Sequence, residues 1–178
     1  AAQPRIINYS NKDLYDYAGA SGGFIDLFGF PFCRGRILNH IENSTNYQTT
    51  REIFWASGAC LAIRKKSFES VNGFDSSFLA HMEEIDLCWR LQAMGFQIWV
   101  EPGAVVYHKN ALSMPMNSHK KYYLNHRNSL LMLFGNYSLK NTLIVGTGRI
   151  LFELIALVHS ILILDWRHAS GIIRSLVH

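Results

Sequence analysis

The sequence has few cysteines, and their arrangement excludes a disulfide framework or a zinc-binding module. Among 178 residues there are three, Cys33, Cys60 and Cys88, which are far apart and include no Cys-x-x-Cys pair. Disulfide-rich domains and zinc fingers need closely and regularly spaced cysteines. Each cysteine lies among apolar or aromatic residues, so we expect buried free thiols in a reducing compartment.

Signatures of phosphate and nucleic-acid binding are also missing. The chain has neither a Gly-x-x-x-x-Gly-Lys loop nor a Gly-x-Gly-x-x-Gly loop, and Gly22-Gly23 fits neither pattern. The basic and aromatic residues of 119–134 are not accompanied by an RNA-binding or helix-turn-helix pattern. A net charge of +4 suits an ordinary basic surface, a nucleotide diphosphate or a phospholipid surface. We therefore expect no nucleic-acid partner.

Uninterrupted apolar runs are shorter than the ~20 residues that a membrane-spanning helix needs. The most apolar segment, 139–178, contains Arg149, Glu153 and His159, and such residues are costly inside lipid. Polar or small residues recur along it every three or four positions, which predicts a helix with one thin polar stripe. We expect an interfacial helix, or one packed on a partner, followed by a short helix at 172–177.

Over the whole chain, 49% of the residues are apolar, which is enough for a sizeable core. Strand-like and helix-like periods alternate along it. We predict strands at 5–9, 96–100 and 104–107, the last two around a Glu-Pro-Gly turn, and helices at 65–71, 82–94 and 119–134. Residues 37–51 lack a sustained apolar period and are expected to form an exposed loop.

Three acids crowd the start of the helix predicted at 82–94. They are Glu83, Glu84 and Asp86, and His81 precedes them. One or two acids there complement the helix dipole and need no other explanation. Three within four positions repel one another, which raises a pKa and costs stability. Such crowding is typical of a functional site.

Two other segments allow two interpretations each. The small residues at 56–59 let either a flat ligand or a neighbouring strand approach closely. His108 directly follows the last predicted strand; a single histidine there is more often structural than a ligand, but this strand starts from the loop after the acid-bearing helix. Arg127 belongs to a basic patch that suits a diphosphate or a membrane surface, or a solvated face.

Four motifs together resemble the family-2 glycosyltransferases, and the rhamnosyltransferase-like members most. They read Trp-Ala-Ser-Gly-Ala at 55–59, Gly-Phe-Asp at 73–75, Glu-Glu-Ile-Asp-Leu-Cys-Trp-Arg at 83–90 and Val-Tyr-His at 106–108. The resemblance covers about residues 1–135. It implies a partial GT-A fold of the α/β class, with a mixed sheet, flanking helices and C-terminal hydrophobic helices. It also implies inverting transfer from a nucleotide-diphospho-sugar to a glycan or lipid-linked acceptor in cell-surface polysaccharide synthesis.

Compared with that family, the sequence lacks the N-terminal nucleotide-binding half and its Asp-x-Asp metal motif. The resemblance therefore implies that 1–138 is the acceptor-side catalytic part and that 139–178 is a membrane-interfacial helical tail. Such a chain is expected to be inactive alone and to lie on the cytoplasmic face of the plasma membrane. A divalent metal, Mg²⁺ or Mn²⁺, is expected to bind weakly or not at all without the missing motif.

The family motifs also imply roles for matching residues. The base that takes the acceptor's proton comes from the acid pair, and Glu84, standing where the family has Asp, is the expected base with Glu83 next. His108 is expected to complete a metal site or contact the diphosphate. The remaining expected substrate-binding residues are Trp55 (stacking on a sugar), Ser57, Gly58 and Ala59 (near the donor sugar), Asp86 and Arg90 (holding the helix and its loop), and Arg127.

Two other classes of function stay open at this stage. One is a non-catalytic orphan fragment that acts as a membrane- or partner-binding module; an upstream coding sequence with Asp-x-Asp would argue against it. The other is a metallohydrolase that uses Glu83, Glu84 and His108, and it is weaker because no second histidine stands at ligand spacing.

Overall fold

The structure is a computed structural model that describes residues 1–16, 19–109 and 118–177. It is a mixed α/β arrangement, which confirms the predicted class with a mixed sheet, flanking helices and an apolar helix. The strands are β1 (Ala2–Asn8), β2 (Gly23–Ile25), β3 (Pro31–Cys33), β4 (Arg36–Ile37), β5 (His40–Ile41), β6 (Arg51–Glu52) and β7 (Trp99–His108). The helices are α1 (Lys65–Ser70), α2 (Glu83–Ala93), α3 (His119–Asn136), α4 (Leu139–Leu162) and α5 (Trp166–Val177).

The mixed sheet has the strand order β1-β7-β6. β1 is parallel to β7, and β6 is antiparallel to it. The apolar side chains of Ile6 and Val100 are fully buried in it, as is that of Ile98 just before β7. Because parallel strands end at the same edge of a sheet, the last residue of β7, His108, pairs with Asn8 at the end of β1.

The prediction of two strands around a turn at 101–103 is wrong, because β7 runs through this segment without reversing. Pro4 pairs with Glu101 and Arg5 pairs with Val105, so the intervening residues of β7 form an irregularity in the ladder. The Arg5 Nε donates to the Pro102 carbonyl at 2.8 Å. Proline has no N–H to give to a ladder, and a bulge is one of the few places in a sheet that accepts it.

The expected exposed loop at 37–51 instead contains short strands. β2, β3, β4 and β5 form a second sheet, antiparallel throughout. Gly35 and Leu38 have φ of +94° and +52°, and these left-handed residues allow the tight reversals between two-residue strands. Turn chemistry rather than an apolar period therefore sets the structure of this segment.

The helices lie close to their predicted positions. In α2, Ile85, Leu87, Cys88 and Leu91 form the buried face, and Gly95, with φ of +84°, follows the end of the helix as expected for a C-terminal cap. α5 begins six residues before the predicted 172, at Trp166.

The described residues group into two compact units. The first contains both sheets, α1, and α2 from Glu84 onwards. The second contains α3, α4 and α5 together with the short segments Leu27–Phe30 and Ser76–Glu83. The division into 1–138 and 139–178 stays a prediction, and in the structure α3 groups with the tail helices.

Candidate functional site

The acid pair stands at the first two positions of α2, directly after a strained turn. Glu83 and Glu84 are both half-buried. The two residues before them, His81 and Met82, have φ of +68° and +69°. A non-glycine residue in this region costs of order 1–3 kcal/mol and persists only where its surroundings hold it, most often at active sites and ligand clamps. The strain marks this turn as a candidate functional element.

Burial acts on both titratable groups in this turn. It raises the pKa of the Glu83 carboxyl, against a smaller opposing effect of a backbone hydrogen bond. Burial, and then the charge of Lys121, lower the pKa of His81. Among the described residues, Glu83 Oε2 and His81 Nε2 are buried and have no hydrogen-bond partner. Buried polar atoms without a partner are rare, and a catalytic role is one of the recognised explanations.

In the first unit, Glu84 lies against the small-residue segment. A Cβ atom added to Gly58 would lie 3.8 Å from the Cβ, Cδ and Oε1 atoms of Glu84. Gly58 and Ala59 are exposed, whereas Ser57 is buried. The Ser57 N–H donates to Gln3 Oε1 at 2.8 Å, and the Ala59 N–H donates to Ser57 Oγ at 3.2 Å. The structure thus brings together the predicted base and the predicted sugar-facing segment.

Trp55 has a packing role in the same unit. It is 7% exposed, and its Nε1 donates to the Phe24 carbonyl at 2.8 Å. The ring lies so close to the Gly23 backbone that a Cβ there would be 1.9 Å from it. Gly23 is therefore required by this close approach. Stacking of Trp55 on a sugar stays a prediction.

Asp86 and Arg90 bind each other, as the spacing predicts for i,i+4 partners. Arg90 Nε donates to Asp86 Oδ2 at 2.8 Å, and Arg90 Nη1 donates to the Val71 carbonyl. Asp86 is 5% exposed. The pair therefore ties α2 to the residue that follows α1, in agreement with a role in holding the helix. Direct substrate contact by either residue stays a prediction.

The three cysteines are free. Cys33 and Cys88 are buried as predicted, and Cys60 is half-buried. Burial raises the pKa of the Cys88 thiol to about 12, although its Sγ accepts a hydrogen bond from the Ala56 N–H at 3.4 Å. A thiol with such a pKa is not a nucleophile at neutral pH, so Cys88 has a packing role in the buried face of α2.

His108 is paired with a buried carboxylate that the sequence analysis missed. Its Nδ1 lies 3.0 Å from Asp16 Oδ1, and Asp16 is fully buried. Such a carboxylate fixes the tautomer and orientation of a histidine, as at many metal sites. However, no group of three His, Cys, Asp or Glu side chains in the described ranges can hold a metal ion. The ligands of this part of the chain alone therefore do not fit a metal centre.

Arg127 lies on α3 in the second unit. Its Nη1 donates to the Ser77 carbonyl and to Asn128 Oδ1, both at 2.8 Å. It also borders a cavity of about 250 Å³ whose other walls include Leu130, Phe134 and Ile150. An apolar cavity with a cation at its wall has the chemistry to accept an amphiphilic anion.

A buried polar network joins α3, α4 and α5. Arg149 donates from Nε and Nη2 to Glu153 Oε1 at 3.1 and 2.5 Å. Glu153 Oε2 lies 2.5 Å from His126 Nδ1, and His126 Nε2 lies 2.8 Å from His168 Nε2. His168 Nδ1 lies 2.9 Å from Ser160 Oγ, which also donates to the Ala156 carbonyl at 2.8 Å. The polar stripe predicted for the tail is therefore turned inward.

The pKa values of two members follow from this packing. Burial alone would raise the pKa of Glu153, but the hydrogen bond and charge of His126, together with Arg149, outweigh it and lower the pKa. Burial lowers the pKa of His168, assisted by its neighbour His126. A buried carboxylate and a mainly neutral imidazole are thus both favoured in the folded state.

The opposite side of α4 is apolar and exposed. The helix is long and apolar enough to cross a membrane by length and composition, and only 28% of its most apolar window is buried. Exposed large apolar residues on α4 and in the turn after it include Leu143, Leu151, Ile155, Leu162 and Leu164. With polar groups inside and apolar groups outside, this surface is suited to an apolar environment.

Comparison with known proteins gives partial matches. No protein-family profile matches the chain. It is similar to N-acetylglucosaminyl-diphospho-decaprenol L-rhamnosyltransferase of Mycobacterium tuberculosis, with 32% identity over 88 residues, 49% of this chain and 29% of that protein. It is also similar to rhamnosyltransferase WbbL of Escherichia coli, with 30% identity over 97 residues, 54% of this chain and 36% of that protein. The chain thus spans about a third of the length of these relatives, and its predicted resemblance to the rhamnosyltransferase-like family-2 glycosyltransferases is confirmed.

Proposed function

We propose that this chain is the acceptor-side part of an inverting family-2 glycosyltransferase with a GT-A fold. The complete protein would transfer a sugar, rhamnose by analogy with the relatives' names, from a nucleotide-diphospho-sugar to a glycan or lipid-linked acceptor in cell-surface polysaccharide synthesis. The observation that carries this proposal is the packing of Glu84 against the exposed Gly58, 3.8 Å from an added Cβ. Because residue 58 is a glycine, it places no side chain between Glu84 and a sugar that approaches over this exposed position.

In the proposed reaction Glu84 acts as general base. The acceptor hydroxyl attacks the anomeric carbon on the face opposite the nucleotide diphosphate. The new C–O bond forms as the bond to the diphosphate breaks, and the hydroxyl proton passes to the Glu84 carboxylate. Glu83 is the second candidate, because burial raises the pKa of its carboxyl and a raised pKa makes a carboxylate a better base near neutral pH.

The other predicted site residues take supporting places in this proposal. Ser57, Gly58 and Ala59 line the approach to the sugar, with Trp55 behind them. Asp86 and Arg90 hold α2, which carries the acid pair. A divalent metal, Mg²⁺ or Mn²⁺, would take its main ligands from residues other than those described in this chain, with His108 adding a ligand or contacting the diphosphate. No step of the proposed reaction depends on that metal.

The tail helices are proposed to bind the cytoplasmic face of the plasma membrane. The exposed apolar side of α4 supports this placement, and its buried Arg149 and Glu153 favour a helix lying in the interface with its polar side on protein. The cavity beside Arg127 is proposed to accept the apolar tail of a lipid-linked acceptor, whose phosphate carries the charge complementary to the guanidinium.

The test is sugar transfer by the complete protein. Nucleotide-diphospho-rhamnose and a polyprenyl-diphosphate-linked acceptor sugar are incubated with the wild type and with Glu84→Gln, and the glycolipid product is measured. Transfer by the wild type that is lost in Glu84→Gln, with donor binding retained, supports the proposal. Membrane binding without any transfer from several nucleotide sugars would instead favour a non-catalytic membrane-binding module, the alternative that the exposed apolar side of α4 also suits.

A further inference from the structure

The turn that precedes the acid pair is held by two adjacent residues of α3. Asn128 Nδ2 donates to the carbonyl oxygens of Ala80 and His81, at 2.7 and 2.9 Å. Arg127 Nη1 donates to the Ser77 carbonyl and to Asn128 Oδ1, both at 2.8 Å. These four hydrogen bonds all lie within the second unit. We refer to Arg127 and Asn128 together as the α3 clamp.

The position of Asn128 indicates a specific task. Its side chain is fully buried, so both amide protons must find acceptors inside the protein. The two hydrogen bonds that it donates end on Ala80 and His81, and the left-handed φ values of +68° and +69° belong to His81 and Met82. Left-handed non-glycine residues need such external support, because the backbone alone favours other conformations.

The first residue of α2 depends on the same turn. Glu83 follows Met82 directly, and its half-buried carboxyl has an oxygen, Oε2, with no hydrogen-bond partner among the described residues. The carboxyl of Glu83 therefore depends for its position on the backbone that enters the helix. That backbone is fixed by the carbonyls of Ala80 and His81.

We propose that Arg127 and Asn128 are positioning residues that hold the turn before α2 and thereby set where the Glu83 carboxyl stands in the proposed sugar-transfer site. This inference rests on the proposed function and extends it with two residues outside the acid helix. Arg127 then has two functions: it holds the turn through the Ser77 carbonyl, and it contacts an anionic substrate as predicted from the sequence. A misplacement of about 1 Å in a catalytic group is enough to reduce turnover on the order of 100-fold.

The test uses Asn128→Asp in the complete protein. This change keeps the shape and the acceptor for Arg127, but it places an oxygen opposite two carbonyl oxygens and so breaks both bonds to the turn. We expect kcat to fall on the order of 100-fold, with the KM for the nucleotide sugar within about threefold. The acidic limb of the kcat/KM profile should move to lower pH, because a loosened turn exposes to water the Glu83 carboxyl, whose pKa is raised by burial. A purely structural role would lower thermal stability without moving that limb.

The matched control is Asn136→Asp on the same helix, where the amide donates to the Met132 carbonyl one turn earlier. Its kcat and its pH profile should equal those of the wild type. Should Asn128→Asp fail to fold, Arg127→Gln removes the outer half of the clamp from a half-buried site and is expected to shift kcat and the acidic limb in the same directions. A wild-type kcat and pH profile in a folded Asn128→Asp protein would overturn the inference.

Amide hydrogen exchange of residues 76–84 separates this inference from the proposed function. Faster exchange of that segment in Asn128→Asp, with α3 unchanged, supports the clamp even if the wild type transfers no sugar, a result that would refute only the proposed function. Unchanged exchange of the segment overturns the clamp whatever the activity.

Discussion

Replacing Arg149 by methionine should destabilise the helical unit strongly. Arg149 is 1% exposed, donates two hydrogen bonds to Glu153 Oε1 and one to the Phe28 carbonyl at 3.1 Å, and stacks over the Phe30 ring at 3.9 Å. Removing one partner of a buried ion pair typically costs about 3–5 kcal/mol. Because His126 still faces Glu153, we expect the lower end, about 3 kcal/mol of unfolding free energy.

The assay is thermal unfolding followed by circular dichroism at pH 7.5. For a protein of this size, about 3 kcal/mol corresponds to a Tm lowered by roughly 6–12 °C. The double variant Arg149→Met/Glu153→Leu should regain most of the loss, since an apolar pair of similar volume replaces a buried ion pair at little cost. Arg167→Met, at an exposed position of α5, is the matched control and should change stability by less than about 0.5 kcal/mol.

The pH dependence gives an independent check. The pKa of Glu153 is lowered in the folded state, so its stabilising effect is present above the ordinary carboxyl pKa and is lost as the pH falls from there through the lowered pKa of the folded state. The Arg149→Met penalty should therefore shrink in acid. A penalty below about 1 kcal/mol at pH 7.5, or a double variant no more stable than the single one, would refute the reasoning that Arg149 compensates a buried carboxylate.

Three further predictions concern the site and the surface. Glu84→Gln in the complete protein should lower kcat by about 10²–10⁴-fold, the usual contribution of a general base, and should leave the affinity for the donor unchanged. The control variant Glu69→Gln, at an exposed position of α1, should keep the wild-type kcat. A turnover of Glu84→Gln within threefold of wild type would exclude Glu84 as the base. Glu83→Gln should raise Tm at pH 7.5 and hardly at pH 4, because a raised folded pKa makes ionisation of this carboxyl destabilising above its ordinary range; an equal effect at both pH values would contradict this. We expect the triple variant Leu143→Gln/Leu151→Gln/Ile155→Gln to move from the membrane pellet to the supernatant. The control Ile37→Gln/Leu38→Gln, at exposed apolar residues of the other unit, should stay in the pellet. Unchanged pelleting of the triple variant would count against the interfacial placement.

The sequence predicts correctly those features of the fold that depend on neighbouring residues alone. The apolar spacing of Leu87 and Leu91 located α2, and Gly95 marked its end, because both follow from the geometry of a single helix. The prediction of a turn at the Glu-Pro-Gly segment of β7 is wrong because the same residues also suit a bulge. Only the pairing with β1 decides between the two. Sequence periodicity carries no information about that partner.

The missed site residues depend on distant partners. Asp16 becomes informative only when the parallel pairing of β1 and β7 brings it to His108, 92 positions along the chain. Asn128 looks like an ordinary polar residue of α3 until the carbonyls of the turn at 80–81 lie beside it. The motif resemblance located the acid pair but did not reveal what holds it.

The imidazole pair at the centre of the helical network has a consequence for proton counting. Ser160 has one hydroxyl proton and two acceptors within reach, the Ala156 carbonyl and His168 Nδ1. If that proton goes to His168, both imidazoles stay neutral, with one N–H between their facing Nε2 atoms and one directed at Glu153. If it goes to Ala156, His168 Nδ1 must carry its own proton, and with Glu153 ionised the pair holds three protons and one positive charge. The rotation of a single hydroxyl thus distinguishes two charge states of a cluster shared by three helices, and the ¹⁵N shifts of His126 and His168 report which of them is populated.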